Sequence, residues 1–258
     1  MARASGAVRE LGQWAQPVVL ARELVLPVLP ALEELLPEPG LRRGTVTRVH
    51  GPGATSLALA LVAGCTRAGS WVAAIGVRGL GLGAAGELGL ALEHLLLVDV
   101  PTPPQWATAV SAALDGVDVV LAEVPPRCRE ADARRLQARL RDRGAVVVLV
   151  GPAGAFQPDL VVAGSSSCWQ GMGAGWGRLR ARCLSVEVTG RRAASRPRTG
   201  RLWLPAADGA VRLEPEGSTA REVVVALPQE ATAGGWPERP RAGRDERSEW
   251  PAAESGHR

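Results

Sequence analysis

The chain has 258 residues, 46% of them apolar, and a net charge of +4, which suits one domain of ordinary size with tails. All 30 basic residues are arginine, because lysine does not occur, so a P-loop lysine, a Schiff-base lysine and a lysine general base are excluded. The four cysteines (Cys65, Cys128, Cys168, Cys183) contain no C-x-x-C pair, which argues against a disulfide framework or a zinc site, and no metal is expected. Residues 1–37 read as an N-terminal lead-in broken by Pro27 and Pro30, with one short helix near 30–36. Thr45–His50 reads as a strand and Thr55–Ala68 as a helix that stops at Gly69. The spacing then predicts a strand over Trp71–Val77, a helix from Ala84 to about His94, a strand over Leu95–Val98 and a helix over Trp106–Leu114. A buried strand over Val117–Val124, an Arg-laden helix over Arg129–Arg143 and a strand over Ala145–Val150 complete the alternation.

Short, continuously apolar strands alternating with helices imply an α/β fold with a mostly parallel sheet flanked by helices. From about residue 155 the pattern changes to period-two alternation, and Asp159–Val162, Gly177–Gly190 and Arg201–Pro205 read as antiparallel strands. Leu179, Ala181 and Cys183 share one face there, while Leu184, Val186 and Val188 alternate in the other phase, as a bulge would allow. Ser165–Cys168 reads as a loop. The core is therefore expected to span 38–215, with an antiparallel C-terminal extension, and 216–258 to be a disordered tail rich in Pro, Gly, Arg and Glu. With no run of about 18 apolar residues and no signal-peptide pattern, a cytoplasmic protein without a membrane partner is expected.

The stretch from Gly40 to Leu61 has the strand–turn–helix order in which a phosphate-binding loop sits. Its chemistry is altered. Gly51 and Gly53 are one residue apart, Ala54 stands where a Walker A loop carries its lysine, and Thr55 and Ser56 follow.

In order and spacing the chain resembles the RecA family core over residues 38–190. The likeness is carried by Leu41-Arg42-Arg43-Gly44-Thr45-Val46, Gly51-Pro52, Thr55-Ser56-Leu57-Ala58-Leu59 and Arg67-Ala68-Gly69. Ala73-Ala74-Ile75, Glu87-Leu88-Gly89, Leu95-Leu96-Leu97-Val98 and the Walker B-like Val117-Asp118-Val119-Val120-Leu121-Ala122-Glu123 continue it. The resemblance implies three working positions that have changed: Ala54 for the phosphate lysine, Arg78 for the water-activating acid, and Val150-Gly151-Pro152 for the sensor glutamine. Only Thr55 and Glu123 remain as magnesium-side groups. It therefore implies a RecA-like fold without ATPase activity, no cofactor, and no catalytic residue.

Gly51–Ala60, Asp115–Val120 and Gly177-Arg178-Leu179-Arg180-Ala181-Arg182 further resemble the actinobacterial ImuA′-type accessory proteins of the translesion-synthesis mutasome. That resemblance implies a damage-induced (SOS response) accessory role, associated with the nucleoid. Its partners would be a catalytically inactive Y-family polymerase homologue and an error-prone replicative-type polymerase. The alternative is an ATP-dependent RecA-type recombination protein or its regulator.

Among the residues themselves, Arg178, Arg180 and Arg182 alternate along one predicted strand, with Arg191, Arg192 and Trp176 near in sequence. Guanidiniums along one side reach phosphates and indoles stack on unpaired bases, so these residues are the candidate contacts for single-stranded DNA. An edge hairpin whose arginines blunt strand pairing is the plainer alternative. Gly81-Leu82-Gly83-Ala84-Ala85-Gly86, with Asp99 further on, matches a dinucleotide fingerprint. Thirty-one glycines produce such matches easily, and this one follows the second core strand, so dinucleotide binding is not expected. The arginines of 129–143 are interleaved with Glu130, Asp132 and Asp142 and read as a solvated face.

Overall fold

The computed structural model describes residues 24–100, 102–172 and 177–215, without the side chains of Arg192 and Ala193. Trp176 and the 216–258 tail lie outside these residues. The described strands are β1 (Val25–Leu26), β2 (Leu41–Arg42), β3 (Val46–His50), β4 (Val72–Ile75), β5 (Leu95–Val98), β6 (Val119–Glu123) and β7 (Val146–Val150), followed by β8 (Leu160–Met172), β9 (Gly177–Gly190), β10 (Arg198–Trp203) and β11 (Arg212–Leu213). The helices are α1 (Pro30–Glu33), α2 (Ala54–Arg67), α3 (Leu82–Glu87), α4 (Pro103–Gly116) and α5 (Glu130–Arg143).

Nine strands form one sheet in the order β11-β10-β9-β8-β3-β7-β6-β4-β5. From β8 to β5 all neighbours are parallel, whereas β9, β10 and β11 add antiparallel at the β8 edge. The expected α/β class with an antiparallel C-terminal extension is what the backbone adopts. β3 is separated from the Walker B-like strand β6 by β7, so the end of β7 lies between the two.

Side chains of the parallel strands alternate between two cores. Val146, Val148 and Val150 of β7 face the side covered by α1, α2 and α3, while Val147 and Leu149 face the side covered by α4 and α5. This explains why the strands read as unbroken apolar runs, since both faces are buried. Helix α2 is buried from Leu57 through Thr66. In contrast, α4 and α5 bury only a stripe: Trp106, Ala107, Val110 and Leu114 in one, Ala133, Leu136, Gln137 and Leu140 in the other. The arginines of α5 do form a solvated face, tied down by Arg134–Glu130, Arg135–Asp132 and the pairing of Arg139 and Arg143 with Asp115.

Several sequence expectations are corrected. Ser165–Cys168 is not a loop but the middle of β8, which runs thirteen residues, parallel to β3 over Leu160–Ala163 and antiparallel to β9. The bulge lies in β8, where Gly164 pairs with Val186 but Ser166 with Ser185, leaving Ser165 unpaired. Leu179 is 52% exposed rather than inward, because β9 near Gly177 has passed beyond the rest of the sheet. The long helix expected from Ala84 to His94 is two pieces, since Gly89 at φ 95° breaks it, and a short 3-10 turn covers Leu92–His94.

Gly64 marks the closest helix contact. A Cβ there would lie 2.3 Å from the carbonyl carbon of Val28, so the 24–36 segment rests on the bare backbone of α2. Alanine favours a helix interior over glycine by about 1 kcal/mol. Gly64→Ala is nonetheless expected to destabilise by about 1–3 kcal/mol through overpacking, seen as a lower urea midpoint at unchanged m. A midpoint that stays or rises would show that this segment is not seated on α2.

Candidate nucleic-acid interface and the altered phosphate loop

The carboxyl ends of the parallel strands place the loop residues together. At the end of β3, Gly51 (φ 86°) and Gly53 (φ 73°) both take left-handed backbone, which turns the chain into α2 within three residues. The turn lies flat on β8. A Cβ on Gly51 would sit 2.0 Å from the carbonyl oxygen of Gly164, and one on Gly164 would sit 2.2 Å from that of Pro52. Two glycines thus permit backbone-on-backbone contact where a longer loop would arch outward. Gly53 is also the N-cap residue of α2, with no side-chain cap, and Ala54, Thr55 and Ser56 fill its partly exposed first turn.

β8 and β9 continue past the end of β3, whose last partner is Ala163, and rise beside this turn, with β10 flanking β9 as far as Cys183 and the β8–β9 ribbon running on alone beyond it. Arg182 of β9 is the part of the ribbon that meets it. Its guanidinium carbon and both terminal nitrogens are 3.2 Å from where a Gly53 Cβ would be, and its Nε donates to the Leu204 carbonyl at 2.8 Å. The guanidinium lies 5.2 Å from the ring centre of Trp169, its cross-strand partner, in cation–π range. Desolvation in this setting lowers its pKa from the ordinary arginine value. A cation therefore lies against the helix N-terminus that would face a phosphate.

Glu123 ends β6 on the same side of the sheet. Its carboxylate accepts a hydrogen bond from the backbone N–H of Arg78, which stands where the resemblance places a water-activating acid. Burial raises the Glu123 pKa, and the Arg78 hydrogen bond and charge only partly counter it. His50, at the end of β3, has its pKa lowered by burial and by Arg48, whose Nε donates to the Gly151 carbonyl at 2.9 Å. The counterpart of the sensor position is thus a carbonyl held by an arginine. Among the described residues no cluster of three or more His, Cys, Asp or Glu could hold a metal ion.

The candidate DNA-binding arginines separate into two groups. Arg178 and Arg180 are exposed at the outer end of the ribbon, beside exposed Leu179 and Met172. Arg182 is on the same strand but half-buried and engaged as described. Arg191 lies beyond the opposite end of β9, roughly 40 Å along an extended strand from Arg178. There it donates to Gln157 Oε1 at 3.0 Å and lines a cavity of about 60 Å³ with Arg42, Thr47 and Asp159. Arg192 begins a short 3-10 turn at that same end. One continuous basic face is therefore not formed: the outer pair is one surface, and 191–192 belong to another. The contacts of Gly164 and Trp169 were missed in the sequence. A glycine inside an alternating strand was the available signal for the first, since it marks a close backbone approach.

Comparison with known proteins bears on the core. A family model described as the MT3502 N-terminal domain matches residues 34–155, which takes in the chain from β2 to the end of β7 and leaves out the ribbon and the antiparallel extension. The chain is 35% identical over 139 residues to the Mycobacterium tuberculosis protein named "Uncharacterized protein Rv3395c", covering 53% of this chain and 58% of that protein. The chain thus spans little more than half the length of this curated relative, which comes from an actinobacterium.

Proposed function

We propose that the chain is a non-catalytic RecA-like scaffold that supports error-prone translesion DNA synthesis after DNA damage. In this reading it holds a catalytically inactive Y-family polymerase homologue together with an error-prone replicative-type polymerase, in the cytoplasm at the nucleoid. The carrying observation is the turn Gly51-Pro52-Gly53, pressed onto Gly164 with the Arg182 guanidinium at Gly53. A loop that must wrap a triphosphate needs several free N–H groups and a cation on its open side. Here the loop is short, packed from beneath, and its neighbouring cation is tied to Leu204 and Trp169. Arg78 beside Glu123 and Arg48 on the Gly151 carbonyl support the same reading at the two other altered positions. The identity of the partners rests on the ImuA′-type resemblance, with which the actinobacterial source of the relative agrees.

The test is co-purification of the full chain from DNA-damaged cells. Both polymerases are expected to accompany it, and recovery of neither, with no DNA binding, overturns the proposal. The alternative, an ATP-dependent recombination protein, requires Mg-ATP binding through the shortened loop. Titration calorimetry with Mg-ATP is expected to give no binding signal, and micromolar binding with hydrolysis would favour the alternative.

Contact with single-stranded DNA is assigned to the ribbon tip. Replacing Arg178 and Arg180 by Ala is expected to lower the slope of log K against log salt by roughly 1.4, at about 0.7 per single-strand phosphate contact. Arg191→Ala should leave the slope unchanged, being at the other end of β9. Equal effects at both ends would remove the tip as the contact.

Glu123 gives a pH test. Its folded pKa is raised, so its contribution to stability is fully present below the unfolded carboxylate pKa and is lost as pH rises through the folded value. Glu123→Gln keeps the acceptor for the Arg78 N–H and removes that loss. The variant is expected to melt slightly higher than the wild type at pH 7, the gap closing towards pH 4, and to retain polymerase binding. A variant that melts lower at pH 7, or loses the polymerase, would return Glu123 to a working role.

A further inference from the structure

We propose that Cys168 and Cys183 are a paired thiol site that closes to a reversible cross-strand disulfide on exchange with a low-molecular-weight disulfide. The two residues are fifteen positions apart in sequence, yet they are direct register partners on β8 and β9. Directly opposed side chains in an antiparallel pair share one face of the sheet. Arg182 directs its N–H and C=O to Pro205 and Leu204 on the β10 side, so Cys183, next along, directs its own to β8. The cysteines therefore form a hydrogen-bonded pair, with Cα atoms about 5.5 Å apart. That is inside the range of roughly 4.4–6.8 Å that a disulfide bridges. Their Cβ atoms, at about 5.5 Å in such a pair, exceed the 3.5–4.5 Å a relaxed disulfide prefers, so closure must draw the strands together. Register shifts at Gly164/Ser166 and at Gln170/Met172 bracket the pair and supply the slack. A bond closed against such resistance is one that thiols reopen readily.

The surroundings assign the order of events. Cys168 is partly exposed and Cys183 is buried, so the small disulfide is met by Cys168. The Cys168 sulfur attacks one sulfur of RSSR, the S–S bond breaks, and RS⁻ leaves and takes a proton. Cys183 Sγ lies 3.4 Å from Glu214 Oε2, a buried carboxylate paired with Arg201 at 2.9 Å, and the other oxygen, Oε1, has no hydrogen-bond partner. Glu214 accepts the Cys183 proton as that sulfur attacks Cys168 and expels the second RS⁻, which then takes the proton on. The sum is RSSR plus two thiols giving one protein disulfide and two RSH. Burial first, and the Glu214 carboxylate second, hold the Cys183 thiol protonated until a sulfur partner is adjacent, which suits a resolving role. Cys65 has no such partner: it is enclosed against Pro27 O, with its pKa pushed up to about 12.

The experiment uses the purified full chain incubated with oxidised glutathione, then alkylated and mapped by peptide mass spectrometry. Expected is a link between the peptides carrying Cys168 and Cys183, two hydrogens lighter than the dithiol and reversed by dithiothreitol. Cys183→Ser should stop at a glutathione adduct on Cys168, and Cys168→Ser should leave Cys183 unmodified. A glutathione adduct that persists on Cys168 in the wild type, a link through Cys65 or Cys128, or full alkylation of both thiols after exposure would each overturn the proposal. The wild-type readout decides the matter even if a serine variant fails to fold.

Discussion

The contact between the turn Gly51-Pro52-Gly53 and Gly164 of β8 is the constraint from which the rest of the upper sheet follows. Each backbone approaches the other so closely that a methyl group on either glycine would overlap a carbonyl oxygen. This sets where α2 begins, because the chain must reverse within three residues. It also sets the course of β8, which stays parallel to β3 through Ala163, passes Gly164, and takes its unpaired residue at Ser165 immediately after. A bulge bends and twists a strand locally. Beyond it the β8–β9 ribbon leaves β3 and brings the Arg182 guanidinium, which lies over the Trp169 ring, against Gly53. A one-residue shortening or lengthening of that register would exchange the faces of Arg182 and Cys183. The shortened loop and the antiparallel extension are thus one piece of architecture.

Arginine does structural work throughout this lysine-free chain. Arg43 donates to the Gly144 carbonyl, Arg48 to Gly151, Arg67 to Gly89, Arg182 to Leu204 and Arg198 to Leu36. Each satisfies an acceptor at a helix end, strand end or connecting turn, where the chain's own N–H groups run out. A planar guanidinium with five donors can do this while its stem packs on apolar surface, which a single ammonium does less well. Net positive charge in such a protein is weak evidence for nucleic acid. What separates the arginines is which of them remain solvated outside these bonds, and at the ribbon tip those are Arg178 and Arg180.

The parallel core was legible in the sequence because burial on both faces writes strands as unbroken apolar runs, and because Gly69 and Gly144 stop helices where backbone must turn left-handed. The break at Gly89 was hidden, since Leu88 and Leu90 keep an apolar pattern on both sides of it. Ser165–Cys168 was misread for a physical reason. Past Ala163 the strand has lost β3 and is paired on the β9 side alone, so its polar residues stand at a sheet edge and the alternation fades where the strand leaves β3. The residue types at the turn and after β4, Ala54 and Arg78, were legible in the sequence. The cation beside that turn was not, because Arg182 reaches Gly53 from 129 positions away and only the register of β9 puts it there.

A turn that holds no phosphate, as proposed, also changes what the top of the sheet must tolerate. A bound triphosphate with its metal screens the charges that surround it; without one, the residues there must satisfy each other. Glu123 receives the Arg78 N–H, the Gly151 carbonyl receives Arg48, and Arg182 is held by Leu204 and the Trp169 ring. None of these bonds requires a ligand to complete it. A site whose polar groups already pair within the chain has little to gain from nucleotide, since binding would have to break those bonds and desolvate the same groups again. In the proposed reading the strand ends are a fixed platform, and the parts left to meet other molecules are those that project from it.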